Sequence, residues 1–372
     1  MRRIVRLVAG FLFVGFGVMT LQKPAEAVKI FRAKTLDIPC EFGDVSLDKT
    51  LVACGGSTES SVPESFAHLI DVSELKIISS FRYGHSFGGA SYTSLSFGAS
   101  GNWIFLKEVE NRRKDDSVWI PSTGVVKHNA SKVDRIDVMH PNGKKAFSVN
   151  DKGIEVYKSE NLTTGVPSSF IPLSNSSNDQ RQEIYIQKLS ITQNGRFLVG
   201  RIGSHDRAFS HSDRVYVWDV ESERFLYAIK ADIFALSSDS TKLVTSNYYR
   251  KEVMAESGRT ILLWDLASGK LLKQAKTRKE QYHDSRIRQN IFIDHGGIVS
   301  LAISPDNNLV AFAHLVADDM NGYLFTNGMG VVDMRSGKEI FYQELSSPFL
   351  AFIDNGKKLL AGAKKLTIFQ IN

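Results

Sequence analysis

One phrase recurs along the chain and restricts what it can fold into. Thr260–Lys276 reads TILLWDLASGKLLKQAK, two short apolar runs joined by the polar turn Ala267-Ser268-Gly269-Lys270. The phrase returns as VYVWDVESERFLYAI at 215–229 and as GVVDMRSGKEIFYQ at 330–343. Bulky apolar runs punctuated by Ser-Gly are hairpin signals. Tight polar turns flanked by apolar runs also occur at Leu47–Thr50, Ala99–Asn102, Pro141–Lys144, Gln193–Arg196, Ser238–Thr241, Pro305–Asn308 and Asp354–Lys357, 42 to 67 residues apart. About four strands per unit at such a period describes radially stacked sheets, a propeller.

The residues His295, Val299-Ser300-Leu301-Ala302-Ile303-Ser304-Pro305-Asp306, Trp218-Asp219, Trp264-Asp265, Val332-Asp333 and Gly84-His85 carry a resemblance to the WD-repeat β-propeller family. It covers essentially all of 28–372 and is strongest in units four to six. Two of the seven units keep Trp-Asp, so the chain resembles a distant member. The expected fold is all-β: a seven-bladed β-propeller of four-stranded antiparallel sheets. The last unit is one strand short, and the strand beginning Val28-Lys29-Ile30-Phe31 is expected to complete it, closing the ring and removing an exposed edge. Phe97, Phe147, Phe234, Phe312, Trp218 and Trp264 are read as packing between blades.

The N-terminus reads as a leader. Arg2, Arg3 and Arg6 precede an apolar run from Leu7 to Leu21, and Ala25-Glu26-Ala27 supplies a small-x-small cleavage pattern. Fifteen apolar residues fall short of the roughly 20 that span a bilayer. The expected organisation is therefore a signal peptide over 1–27 and one propeller domain over 28–372, exported to a periplasmic or secreted location. Membrane contact is expected only through the cleavable signal. Removing the leader takes four basic residues and one acidic residue from totals of 46 and 40, leaving +3 instead of +6. So modest an excess gives no case for nucleic acid. Cys40 and Cys54 are the two cysteines. A disulfide suits an oxidising compartment, but pairing across a hairpin turned at Asp48-Lys49 makes them diagonal neighbours at best. The spacing leaves the pair open.

Loop lengths locate the expected site. In a four-stranded blade the a–b and c–d turns share one face, and the b–c and d–a connections share the other. The a–b turns are tight, as are the c–d turns Glu221–Arg224, Ala267–Lys270 and Arg335–Lys338. The b–c connections Ser57–Ser65, Glu108–Asp116, Gly203–Asp213, Asn247–Gly258 and Leu315–Gly328 are long, as are the d–a connections Leu173–Glu183 and Thr277–Gly297. Long loops on a rigid scaffold are where binding residues concentrate. The candidates on that face are Arg112, Arg113, His205, Asp206, Arg207, His211, Tyr248, Tyr249, Arg250, Tyr282, His283, Arg286, Asp318 and Asp319. Arginine and tyrosine are enriched at interfaces because each offers broad contact area with directional hydrogen bonds.

Chemistry leaves little trace. His205, Asp206, His211 and Asp213 are ligand types without a family spacing, so no metal is assigned. No nucleophile elbow, Cys-x-x-Cys-His or phosphate-binding glycine loop occurs, and neither a catalytic set nor a cofactor is assigned. The expected function is an exported, non-catalytic propeller that binds a protein partner or envelope component through its long-loop face. The alternative is a propeller enzyme, a lactonase-like hydrolase or a dehydrogenase subunit, with metal or acid/base residues at the central channel on that face.

Overall fold

The computed structural model describes residues 28–372 except 47, 58–63, 86–90, 98–103, 110–115, 129–135, 151–152, 163, 173–183, 205–213, 248–258, 279–281, 285–288, 292–295, 318–323 and 346. The proposed leader at 1–27 therefore lies outside the described residues.

The described residues form seven four-stranded antiparallel sheets. In chain order, sheet 1 holds Phe42–Val45, Leu51–Ser57, Glu64–Asp71 and Lys76–His85, and sheet 2 holds Ser91–Phe97, Ile104–Val109, Asp116–Ile120 and Val125–His128. Sheet 3 holds Val138–Met139, Lys145–Val149, Gly153–Lys158 and Ser169–Pro172, and sheet 4 holds Ile184–Ile191, Phe197–Ser204, Arg214–Asp219 and Arg224–Lys230. Sheet 5 holds Ile233–Leu236, Lys242–Ser246, Thr260–Asp265 and Leu271–Lys276, and sheet 6 holds Gly296–Ile303, Leu309–Ala317, Leu324–Asp333 and Lys338–Gln343. The last sheet holds Phe349–Ile353, Lys358–Gly362 and Leu366–Ile371, and Ile30–Leu36 pairs on its outer edge, from Ile30 opposite Ile371 to Leu36 opposite Leu366. Backbone bonds between Lys29 and Asn372, 3.0 Å in each direction, extend that ladder. The strands of a sheet are labelled a to d below in chain order, strand d of the last sheet being Ile30–Leu36. No helix of the described residues is long and apolar enough to cross a membrane.

Six apolar clusters each span two neighbouring sheets. Ala53 and Leu69 meet Ile104 and Trp119, Phe147 and Ile171 meet Leu198 and Trp218, and Val217 and Phe197 meet Phe234 and Leu243. Val244 and Ile261 meet Phe312 and Val332, Val331 and Ala311 meet Phe352 and Phe369, and Ile368 and Leu360 meet Val52 and Ile70. Each fully buried Val, Leu, Ile or Phe among them contributes about 1.5–3 kcal/mol. Of the aromatics expected between blades, Phe147, Phe234, Phe312 and Trp218 are buried, whereas Phe97 and Trp264 are half-buried. The Trp264 indole N–H donates to Thr245 Oγ1 at 2.8 Å, a bond that suits a ring left near solvent.

The turns repeat one chemical device. Ser46, Thr192, Ser237 and Ser304 end strand a, and each hydroxyl donates to the Asp or Asn two residues on, at 2.5–2.8 Å. Each hydroxyl also accepts the N–H five residues on, that of Leu51, Phe197, Lys242 or Leu309, at 2.8–2.9 Å. The backbone passes through the left-handed region at Lys49, Gly195, Ser240 and Asn307. The aspartates that close strand c shape the c–d turns in the same way. Asp265 accepts the Ser268 N–H and hydroxyl at 3.0 and 2.7 Å, Asp219 does the same with Ser222, and these bonds hold the Asp265 carboxyl below its ordinary range. The Asp of the Trp-Asp pair is thus a turn-maker.

Two expectations need correction. The b–c connection expected at Leu315–Gly328 is mostly strand: Leu315 pairs with Thr326 and Ala317 with Leu324. The d–a connection at Thr277–Gly297 carries a two-stranded hairpin of its own, Tyr282–Asp284 with Gln289–Ile291. The cysteines are resolved as well. Cys40 and Cys54 are disulfide-bonded with Cα atoms 4.8 Å apart, both fully buried. Cys40 precedes strand a of sheet 1 and its N–H donates to Ala363 O of the last sheet, so the disulfide sits where first and last sheets meet. Deleting residues 28–34 is expected to lower the melting temperature by several degrees in a thermal melt, and an unchanged value would mean that Ile30–Leu36 contributes nothing to closure.

Candidate functional site

Antiparallel pairing puts the a–b and c–d turns at one end of every sheet and the b–c and d–a connections at the other. Most of the residues expected to bind, namely Arg112, Arg113, His205, Asp206, Arg207, His211, Tyr248, Tyr249, Arg250, Arg286, Asp318 and Asp319, lie outside the described residues. Tyr282 and His283 fall in the small hairpin inserted between sheets 5 and 6. The base of that insertion is clamped. The Arg278 N–H donates to Glu339 Oε2 at 3.0 Å, its guanidinium pairs with Glu339 Oε1, and its charge lies 4.2 Å from the centre of the Tyr342 ring. Thr277 donates its N–H to Arg259 O at 3.0 Å, and its hydroxyl meets His314 Nε2 at 3.0 Å. An otherwise long excursion therefore leaves the ring from a fixed point. Among the described residues no group of three or more His, Cys, Asp or Glu side chains could hold a metal ion.

The described part of the molecule contains a second feature, which loop length does not reveal. Strands a of sheets 1, 4, 5, 6 and 7 line a central cavity of about 440 Å³. Its charged lining residues are Glu41, Asp44, Lys49 and Lys188. Asp44 lies two positions before the turn hydroxyl of Ser46, and Lys188 four before that of Thr192. The residues equivalent to Asp44 are Ser190, Ala235 and Ala302, and those equivalent to Lys188 are Phe42, Ile233 and Ser300. Both charges therefore depart from the repeat. Lining the units up on their turns would have found them, whereas hydrophobic alternation reads a charged strand residue as solvent-facing.

Asp44 is ringed by protein. Its Oδ1 accepts the Val45 N–H and its Oδ2 accepts the Phe97 N–H of sheet 2, both at 2.9 Å. Burial raises its carboxyl to about 6, against the lowering effects of those two N–H groups and of the Lys188 charge. Lys188 is also enclosed by the ring, although its side chain is exposed into the cavity; burial lowers its ammonium and Asp44 partly restores it. The ammonium stands 5.0 Å from the centre of the Phe234 ring. Burial likewise lowers Lys49, and raises Glu41 against the charge of Lys364.

No protein-family model matches the sequence, and no curated protein is similar to it. Solved structures are. A chain of a mitotic checkpoint complex superposes with a TM-score of 0.61 at 12% identity, over 98% of each chain. The Cps50 (Swd1) β-propeller domain of Myceliophteria thermophila gives 0.57 at 12% identity, over 92% of this chain and all of that one. The C-terminal WD40 domain of Sif2 gives 0.53 at 13%, over 92% and 98%. The fold is that of a WD-repeat-like β-propeller. At such identities the likeness reaches no further than the fold, and in a β-propeller the cavity lined by strands a is the central channel.

The Asp44 carboxyl has a thermodynamic consequence. Its pKa is higher in the fold than in an unfolded chain, near 3.9, so the fold favours the protonated form. Stability from this group is fullest below pH 4 and is lost as pH rises to about 6. The melting temperature of Asp44→Asn relative to the unsubstituted protein is expected to improve by about 2 °C between pH 4 and pH 7.5. A difference independent of pH in paired thermal melts would show that Asp44 has an ordinary carboxyl.

Proposed function

We propose that this chain is an exported, non-catalytic interaction scaffold. Its sheets close as a seven-bladed ring clasped by Ile30–Leu36, and it engages a protein partner or an envelope component through the face bearing the b–c and d–a connections. The observation that carries the reading is the contrast between the two ends of the sheets. At one end the turns are short, share one hydrogen-bonding scheme and touch each other across sheets: Asn194 N–H donates to Ser240 Oγ at 3.1 Å and Asn307 Nδ2 to Asp239 Oδ2 at 2.6 Å. At the other end the connections at 205–213, 248–258 and 277–297 are longer and rich in Arg, Tyr and His. A regular end and an elaborated end suit a rigid platform with one binding surface.

Three further points support the reading. Similar propellers include a chain within a mitotic checkpoint complex, a propeller working inside a protein assembly. The buried Cys40–Cys54 disulfide suits an oxidising compartment, as does the leader-like N-terminus. Asp44, the channel carboxylate whose charge acts on Lys188, spends both oxygens on backbone N–H groups, which suits holding sheets together better than proton transfer.

The test uses the full chain expressed in its host. N-terminal sequencing of the mature protein is expected to begin at Val28, and a retained leader would remove the export reading. Mild crosslinking is expected to recover one specific partner. That partner should be lost with Tyr248→Ala and Arg250→Ala combined, at an unchanged melting temperature, and kept with Lys270→Glu on the turn end. Loss with Lys270→Glu alone would move the interface to the opposite face, and recovery of no partner would overturn the scaffold reading.

A further inference from the structure

We infer that the central channel binds a small organic acid carrying a single negative charge, its carboxylate seated on the Lys188 ammonium. This site is independent of the long-loop face.

Lys188 is a charge the fold does not need. Equivalent positions in other sheets hold Phe42, Ile233 and Ser300, so a propeller strand accepts an apolar or small residue there. Lys188 instead projects a charge into the cavity, where its side chain is exposed and not packed against a neighbouring sheet. The strand is also irregular at this point: its register with the next strand slips between Ile186 and Lys188. Such bulges re-aim side chains and gather next to functional sites. Sheet 6 slips in the same way between Ile298 and Ser300, and Ser300 also lines the cavity.

The ammonium then lacks a partner of its own kind. It stands over the Phe234 ring and feels the Asp44 charge, but donates no hydrogen bond among the described residues. Asp44 does not fill that role, since its two oxygens take the Val45 and Phe97 N–H groups. Three N–H donors therefore face a cavity of about 440 Å³, within the range of small-molecule sites at about 300–1,000 Å³.

The surroundings set the ligand class. Lys49 and Lys188 are balanced in the channel by Glu41 and Asp44, so the lining has no net charge when all four are ionised. A single negative charge on Lys188 is accommodated, and a second would face Asp44. Sulfate or a phosphate dianion is therefore disfavoured relative to a monocarboxylate. Gln193, Ser238 and Ser300 supply polar groups, while Ile191, Leu301 and Phe352 supply apolar surface. A hydroxylated carbon chain suits both.

Glycolate and gluconate are suitable probes for the full mature protein, with sodium chloride and sodium sulfate at matched ionic strength as controls. Isothermal titration and thermal melts are expected to show saturable binding of at least one carboxylate, weakened about tenfold or more by Lys188→Met and partly retained by Lys188→Arg. Lys188→Met is expected to melt at the same temperature as the parent or higher in the absence of acid, which separates lost binding from lost folding. No saturable binding up to roughly 10 mM, or equal binding by Lys188→Met, would overturn the site. Sulfate binding as tightly as the carboxylates would reduce it to an unspecific anion site and overturn the assigned class.

Discussion

Among the described residues, apolar clusters fill six of the seams between neighbouring sheets, because a four-stranded sheet cannot cover its apolar faces by itself. Burial at those seams comes from the neighbouring sheet, so the sheets they join stabilise one another. Trp218 shows the coupling at one seam: its ring is fully buried among sheet 3 residues such as Phe147 and Ile171, and its indole N–H donates to Pro172 O of that sheet at 3.3 Å. The last sheet and its seam with sheet 1 differ from the rest, because the two ends of the chain meet within that sheet. Ile30–Leu36 adds a ladder to Leu366–Ile371 in the sheet, and the buried disulfide lies at the seam. The chain itself crosses this seam through residues 37–41, and the disulfide pins Cys40, on that crossing, to strand b of sheet 1, while the break between the two ends is closed by the ladder inside the last sheet.

The turns explain why the recurrent phrase says much about architecture and little about function. The hydroxyl at the end of strand a and the carboxylate at the end of strand c each satisfy backbone N–H groups that would otherwise be left at a reversal. Neighbouring turns also depend on one another. A Cβ on Gly195 would lie 2.2 Å from His140 Nε2, and one on Gly356 would lie 3.1 Å from Pro305. Lengthening one turn would disturb two sheets. The same constraint that makes the signature recognisable keeps insertions away from that end.

Strand positions, turn positions and the all-β architecture were legible because alternating apolar runs and hydroxyl-x-carboxylate turns are local features. The Leu315–Gly328 segment departs from expectation for an equally specific reason. Gly328, the expected end of the connection, lies with Gly330 in a strand where a Cβ would strike the Tyr342 hydroxyl at 2.0 Å and the Phe312 ring at 2.3 Å. There glycine makes room for aromatic packing. The cysteine pair resisted sequence reasoning because Cys40 stands outside the ladder, its N–H turned to Ala363 O, and strand register does not govern its distance to Cys54. Asp44 and Lys188 escaped attention because their meaning depends on strands from five sheets converging on one axis.

The two unusual channel charges are not equivalent. Asp44 links sheet 1 to sheet 2 through the Phe97 N–H, so its desolvation is offset by a structural bond that any local sequence change would have to replace. Lys188 has no such bond. Its attraction to Asp44 acts through space. A lysine standing where equivalent strands of this chain carry phenylalanine, isoleucine or serine is better explained by what enters the channel than by what surrounds it.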